Sequence, residues 1–177
     1  MNPDITKKLW NELSPCQNKL EWFTYLDFVG TYFQYHNIGN PIVVEIGIGR
    51  NAQKPFYELE LKGRHIGIDI ACEVTAPNIM GDSHAPATLH KLMAMLGGRN
   101  VDLLFIDGDH AYESVKKDYE IFSPLTKGLI AFHDIAGVAG PKQLWQELII
   151  NTPHTKYFIS IDARGSDRMG IGIMAEP

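Results

Sequence analysis

Basic clusters, long apolar runs and paired cysteines are what this chain lacks. Its 16 Lys and Arg are outnumbered by 21 Asp and Glu, for a formal net charge of -5, and no Lys/Arg stripe marks a surface that tracks phosphates. That argues against a nucleic-acid partner and suits a small or neutral substrate. No apolar stretch approaches the ~20 residues that span a bilayer. The opening MNPDITKKLW is not a basic segment followed by an apolar run and a cleavage site, so no membrane association is expected. The two cysteines, Cys16 and Cys72, form neither a disulfide framework nor a zinc spacing, and a reducing, cytoplasmic setting fits best. Repeats, linkers and low-complexity segments are missing as well. What remains is 177 residues at 45% hydrophobic content, enough for one full core, so a single domain over 1–177 is expected.

Hydrophobic spacing predicts helices over 5–13 and 18–36, separated by Ser14 and Pro15. Trp22, Tyr25, Tyr32 and Tyr35 make the second helix unusually aromatic. Such a stripe belongs more often to a core than to a lid over a substrate. Strands are expected at 42–46, 65–69, 78–82, 101–106, 129–132, 157–161 and 170–174, and helices at 53–61, 86–96, 112–122 and 141–150. Pro55 suits a first helical turn, while Gly63 and the pair Gly97 and Gly98 stop helices. The last two strands leave no room for a crossover helix and must be antiparallel. Strands alternating with helices and closing on a hairpin specify a three-layer α/β domain with one reversed strand. Residues 1–36 then form N-terminal helices ahead of a core over 42–177.

The stretch 101–110, VDLLFIDGDH, organises the rest. Val101, Leu103, Leu104, Phe105 and Ile106 read as a strand covered on both faces, and Asp107, Gly108, Asp109 and His110 follow without a spacer. Ligands of open α/β sheets collect beyond the carboxyl ends of strands. An isolated acidic turn would read as a solvated turn with a helix cap, but other strand ends carry chemistry too. Gly47-Ile48-Gly49 follows the first strand, where missing side chains let a ligand reach the backbone. Asp69, twenty residues past Gly49, ends the next strand and is placed to accept hydrogen bonds from ribose hydroxyls. Together they indicate a nucleoside-containing cofactor.

Gly47-x-Gly49-x-x-Ala52 also satisfies the dinucleotide fingerprint. Against a dinucleotide stand the short chain, the reversed strand, and Glu45, whose carboxylate would repel a pyrophosphate and suits a positively charged ligand. A small NAD-dependent oxidoreductase is one alternative, and a non-catalytic cofactor-binding scaffold is another.

On these residues the chain, from about 42 to 175, resembles the class I S-adenosylmethionine-dependent methyltransferases. Val43-Val44-Glu45-Ile46-Gly47-Ile48-Gly49 matches motif I, Asp69 the ribose-binding acid, and Gly81-Asp82-Ser83-His84 the adenine-side acidic loop. The resemblance implies a Rossmann-like methyltransferase fold, with a mostly parallel seven-stranded sheet and an antiparallel C-terminal hairpin strand. It also implies S-adenosylmethionine as cofactor, held by Glu45, Gly47, Gly49, Asp69, Asp82, Ser83 and Asp107. Asn51 stands where many members carry a third glycine. FIDGDHAYESVKKDYE followed by GLIAFHDI is similar to the metal-dependent small-molecule O-methyltransferases, including the sugar and macrolide group. That implies Mg2+ or Mn2+ on Asp107, His133 and Asp134, with His110 as the base where catechol-type relatives have lysine.

The residues support such chemistry in their own right. Methyl transfer from a sulfonium is an in-line displacement, and a hydroxyl is a weak nucleophile until it loses its proton. A cation on Asp107 and Asp134 would lower the pKa of that hydroxyl, and His110, ordinarily titrating near ~6.5, would accept its proton. His133 is an unusual ligand for a hard cation. It points instead to a borderline metal, to a role behind the ligands, or to a hydrogen-bonded structural residue. Asp109 and Tyr112 read as turn and cap, Lys116 and Lys117 as a solvated face, and His84 as either cofactor-facing or capping. The expected activity is O-methylation of a small hydroxylated metabolite. The acceptor pocket must come from residues 1–36, the loops after strands four and five, or a neighbouring subunit, which makes a homodimer a candidate arrangement.

Overall fold

The computed structural model describes residues 19–50, 53–72, 76–159 and 169–175. The helix expected over 5–13, Ser14, Pro15, Cys16, Asn51, Ala52 and positions 160–161 lie outside the described residues. Helix α1 runs over Lys19–Tyr35 and leads into strand β1, Ile42–Ile46. β2 (Arg64–Asp69), β3 (Ile79–Met80), α2 (Pro86–Leu96), β4 (Val101–Ile106), α3 (Tyr112–Phe122) and β5 (Thr126–Phe132) follow, and α4 (Ala139–Asn151), β6 (Thr155–Ile159) and β7 (Ile171–Ala175) complete the described chain.

Two elements are shorter or looser than expected. The helix predicted over 53–61 is largely a π-helical turn, Phe56–Glu60, closed by a bond from the Leu61 amide to the Phe56 carbonyl at 3.2 Å. Its wider turn accommodates two adjacent buried rings, Phe56 and Tyr57. β3 keeps only Ile79 and Met80, paired with Ile68 and Asp69. Gly81, at a φ of 156°, then turns the chain out of the ladder.

The strand order is β3-β2-β1-β4-β5-β7-β6. β7 alone is reversed: it lies antiparallel to β5 on one side and to β6 on the other. Strand alternation builds the three layers. Ile42, Val44 and Ile46 of β1, Leu104 and Ile106 of β4, and Ile130 and Phe132 of β5 pack with Leu92, Val115, Phe122, Leu144 and Trp145 of α2, α3 and α4. Val43, Leu103, Phe105, Leu129 and Ala131 face the other way, against Trp22, Tyr25, Leu26, Val29 and Phe33 of α1 and the rings of Phe56 and Tyr57. The aromatic face of α1 is therefore core, as its spacing suggested, with Tyr35 left 80% exposed at its end. Among the described residues, no helix is long and apolar enough to cross a membrane.

Candidate cofactor and metal site

The chain winds outward from β1 to β3 and then crosses back to β4, so the strand order reverses between β1 and β4. Ligands of open α/β sheets bind at such a switch point. A cavity of about 920 Å³ opens there, within the range of small-molecule sites. Its floor is the contact of the glycine loop with the end of β4. A Cβ on Gly47, at a φ of 77°, would stand 2.1 Å from the Asp107 carbonyl oxygen, so no side chain fits there.

Asp69 ties the loop to β2. Its Oδ2 accepts from the amides of Ile48 at 2.9 Å and Gly49 at 3.2 Å, and its Oδ1 accepts from Ala71 at 3.0 Å. An ionised carboxylate offers about four acceptor positions, which leaves capacity for a ligand donor. Across the cleft, Asp82 Oδ1 accepts from the His84 amide at 2.8 Å, and the His84 ring reaches Asp118 of α3, Nε2 to Oδ1 at 3.2 Å. Burial pushes the Asp118 carboxyl above its ordinary range, while hydrogen bonds from Ser83 and His84 pull the other way.

The carboxyl ends of β4 and β5 form the third wall. Ile106 pairs with Phe132, so Asp107 and His133 leave the sheet side by side. His133 Nδ1 lies 3.1 Å from Asp107 Oδ1 and 3.4 Å from Asp134 Oδ1, and His110 Nε2 lies 2.9 Å from Asp134 Oδ2. Asp134 holds a φ of 60°, a costly conformation for a residue with a side chain and one that clusters at functional sites. Burial alone would lower the His133 pKa, but the carboxylates of Asp107 and Asp134 push it up to about 10. Burial works against the Asp134 carboxylate, yet His133 and then His110 hold it below its ordinary range. Asp107, His110 and Asp134 each offer a ligand atom within 4.8 Å of the others.

Residues 63–135 match a family described as a methyltransferase domain. No curated protein matches the chain. Among solved structures, it is similar to the MycE methyltransferase of the mycinamycin biosynthetic pathway, in complex with Mg, SAH and mycinamycin VI. The TM-score is 0.63 at 17% identity, over 96% of this chain and 52% of that one. The chain thus spans about half the length of MycE. An O-methyltransferase from Bacillus cereus in complex with SAH gives 0.54 at 13% identity, over 99% of this chain and 92% of that one. TomG from Streptomyces achromogenes, an O-methyltransferase involved in tomaymycin synthesis solved with SAM, gives 0.57 at 12%, over 97% and 87%. The chain thus shares the fold of these methyltransferases.

Within this cleft stand Gly47, Gly49, Asp69, Asp82, Ser83, Asp107, His110 and Asp134. One expectation needs correction. Glu45 does not face the cleft: it points to the α1 side, 1% exposed, and meets His65 Nε2 at 2.7 Å. Its charge therefore says nothing about the ligand, and the case against a dinucleotide rests on the reversed β7 and the family match. His133 lines the cleft with its Nδ1 against both carboxylates, beside the cluster of Asp107, His110 and Asp134.

Asp109 keeps its expected turn role, whereas Tyr112 reaches across to a neighbouring helix instead of capping its own. Asp109 accepts from the Ala111 amide at 3.2 Å and from Ser114 Oγ at 2.6 Å at the start of α3. Tyr112 donates to Glu147 Oε2 of α4 at 2.7 Å. His84 lines the cavity while paired with Asp118. Sequence reasoning passed over Asp118 and Gln53. The signal for Asp118 was its spacing: Ser114 and Asp118 share a helix face, four residues apart, with buried Val115 and Phe122 beside them. Gln53, at a predicted helix start, carried no signal of its own.

Proposed function

We propose that this chain is a metal-assisted, S-adenosylmethionine-dependent O-methyltransferase acting on a small hydroxylated metabolite. The observation that carries the reading is the Asp107, His110 and Asp134 cluster at the ends of β4 and β5, in a cleft whose glycine loop and Asp69 stand at the neighbouring strand ends. The residues fit both groups. The carboxylates of Asp107 and Asp134 suit Mg2+ or Mn2+, and Asp69 retains acceptor capacity for a ribose hydroxyl. When bound, the cofactor supplies a methyl group on a positively charged sulfur, and the cation supplies charge that acidifies an acceptor hydroxyl.

The chain's own residues do the rest. Asp107 and Asp134 would hold the cation, and His133, between them, offsets part of their charge and fixes their orientation. The His110 side chain is 50% exposed, and its Nε2 is held 2.9 Å from Asp134 Oδ2, placing it to take the acceptor's proton and pass it to solvent. Asp69 keeps the glycine loop closed against β2 for the cofactor, with Asp82 and Ser83 at the opposite wall. The shared cluster favours a second reading for one residue: His110 as a third ligand instead of the base. A cation affinity that falls in His110→Ala supports the ligand role, and an unchanged affinity with lost turnover supports the base.

The reading further takes the protein as one cytoplasmic domain, with helices over 1–36 ahead of a core over 42–177. A homodimer in which the neighbour completes the acceptor side also belongs to it. Calorimetric titration with S-adenosylhomocysteine and with NAD, each with EDTA and with added Mg2+ or Mn2+, tests the centre of this proposal. Binding of S-adenosylhomocysteine alone, with a cation-binding heat that disappears in Asp107→Ala, is the expected result. Binding of NAD in its place would return the oxidoreductase alternative. A tight, metal-independent complex without turnover on any acceptor would make the chain a scaffold.

A further inference from the structure

Asp134 sits in a strained turn that is braced from another part of the chain. Its φ of 60° is costly for a residue with a side chain and persists where the surroundings over-determine it. The Asp134 carbonyl accepts from the Val138 amide at 3.1 Å. The next two amides cross to the segment that enters β7: Ile135 donates to the Gly170 carbonyl at 3.3 Å, and Ala136 to the Met169 carbonyl at 2.8 Å. These bonds lie beyond the pairing of Phe132 with Gly172 that ends the β5 and β7 ladder. A Cβ on Gly170, at a φ of 75°, would stand 2.8 Å from the Ala136 Cβ, so the two segments meet with no room for a side chain. Gly170 is held in turn by α1: its amide donates to Glu21 Oε1 at 2.7 Å, across 149 residues of sequence. Glu21 lies in the first turn of α1 and is 1% exposed, beside the core residue Trp22. A polar side chain buried at such a position is kept for the hydrogen bonds it makes, and this one is directed at the segment that braces Asp134.

We infer that Glu21 is a positioning residue for the cation site: through Gly170 it fixes the turn after β5, and with it the Asp134 carboxylate. The inference rests on the proposed metal-assisted reading, in which Asp134 is a ligand. The relay runs from the Glu21 carboxylate to the Gly170 amide, from the Gly170 carbonyl to the Ile135 amide, and so to the residue next to Asp134. Its first link needs an oxygen acceptor at the reach of Glu21, which a glutamine carboxamide also offers and an apolar side chain does not. The cofactor side of the cleft, with the glycine loop and Asp69, stands at the ends of β1 and β2 and outside this relay. Loss of Glu21 therefore acts on the cation and spares the cofactor.

The test is calorimetric titration of the full chain with Mn2+, and separately with S-adenosylhomocysteine in EDTA, for wild type, Glu21→Met, Glu21→Gln and Gly170→Ala. Glu21→Met is expected to weaken Mn2+ by about 10- to 100-fold, the usual range when a partner behind a metal ligand is lost, and to leave S-adenosylhomocysteine unchanged. Glu21→Gln should keep wild-type affinity for both. Gly170→Ala retains Glu21 but drives a methyl group against Ala136, and it should show the same split as Glu21→Met. Wild-type Mn2+ affinity in Glu21→Met would overturn the assignment and leave the metal-assisted reading standing. So would an equal loss for both ligands, or a Glu21→Gln protein that behaves like Glu21→Met. If Glu21→Met does not fold, Gly170→Ala decides, and an unchanged Mn2+ affinity there overturns the relay. Wild-type protein that binds S-adenosylhomocysteine but no Mn2+ would overturn the metal-assisted reading itself, and the assignment with it.

Discussion

Glu45 with His65, and Asp107 with His133, are two carboxylate and imidazole pairs in one sheet, at 2.7 Å and 3.1 Å. The first lies inside strands β1 and β2 on the α1 face, at 1% and 2% exposure, with the Tyr57 ring stacked 5.7 Å from His65. The second lies just past the ends of β4 and β5, where the same two chemical groups open onto a cavity and share it with His110 and Asp134. In the core, one carboxylate meets one imidazole and no ligand can reach either. In the cleft, two carboxylates and two imidazoles meet at the wall of a cavity that a ligand can enter. Position along the strand, interior or end, separates a structural pair from a functional one more sharply than residue type does.

The largest expected effect tests the cleft side of that contrast. His110→Ala should lower kcat by about 10²- to 10⁴-fold, the range for loss of a positioned proton acceptor, and the melting temperature should move little because the side chain is half-exposed. A radiolabelled methyl-transfer assay on an accepted substrate measures the first, and thermal unfolding the second. Near-normal turnover would move the chemistry out of this cluster.

Breaking the core pair should act on stability and leave binding alone. Glu45→Ala strands a buried imidazole and should cost about 3–5 kcal/mol, whereas replacing both partners with apolar residues, Glu45→Leu with His65→Phe, should come close to wild type. Urea unfolding gives both numbers. The folded fraction of each variant should keep its affinity for S-adenosylhomocysteine, and a selective loss of affinity would put Glu45 back among the ligand-binding residues.

Asp69→Ala sits between the two cases, because this carboxylate is partly spent on the backbone amides of Ile48, Gly49 and Ala71. Losing both the loop tether and the ribose acceptor should weaken S-adenosylhomocysteine by roughly 10- to 100-fold, on the scale of one or two hydrogen bonds to a charged group, with a smaller loss of stability. Titration calorimetry beside unfolding curves separates the two. Equal affinity in the variant would show that Asp69 serves the loop alone.

Much of this contrast was legible in the sequence, and its gaps have physical causes. Apolar runs bounded by Gly, Pro and Asp placed β1, β4, α2 and α3, because buried strands and capped helices are local features. The reversed β7 followed from the missing crossover. Alternation puts Glu45 on the same face as Val43, a signal that the motif match overrode. What alternation could not supply was the partner: Val43 lies opposite His65 and Glu45 opposite Gly67, so the pair is diagonal and exists only once the β1 and β2 register is set. The orientation of His133 was out of reach for a related reason. The register of β4 and β5 puts it beside Asp107, but which way its ring faces depends on charges brought from two separate turns.

The smallest expected effect sharpens the core side of the comparison through pH. Burial pushes the Glu45 carboxyl above its ordinary value of 4.5, His65 pulls it back, and the charges of Asp107 and Asp69 add to the rise. A carboxyl whose pKa is raised on folding contributes stability that is fully present below its unfolded value and is lost as pH climbs through the folded one. Wild-type protein should therefore lose stability relative to Glu45→Gln as pH rises above 4.5, on the order of 1 kcal/mol for each unit by which the folded pKa is raised. Asp134, held below its ordinary range, has the opposite sign: its contribution is present above the unfolded value and fades as pH falls through the folded one. Urea midpoints of wild type, Glu45→Gln and Asp134→Asn across that range should thus diverge in opposite directions. A flat difference for Glu45→Gln would mean that the His65 contact fully offsets its burial, making the core pair electrostatically closer to the cleft pair than their exposures suggest.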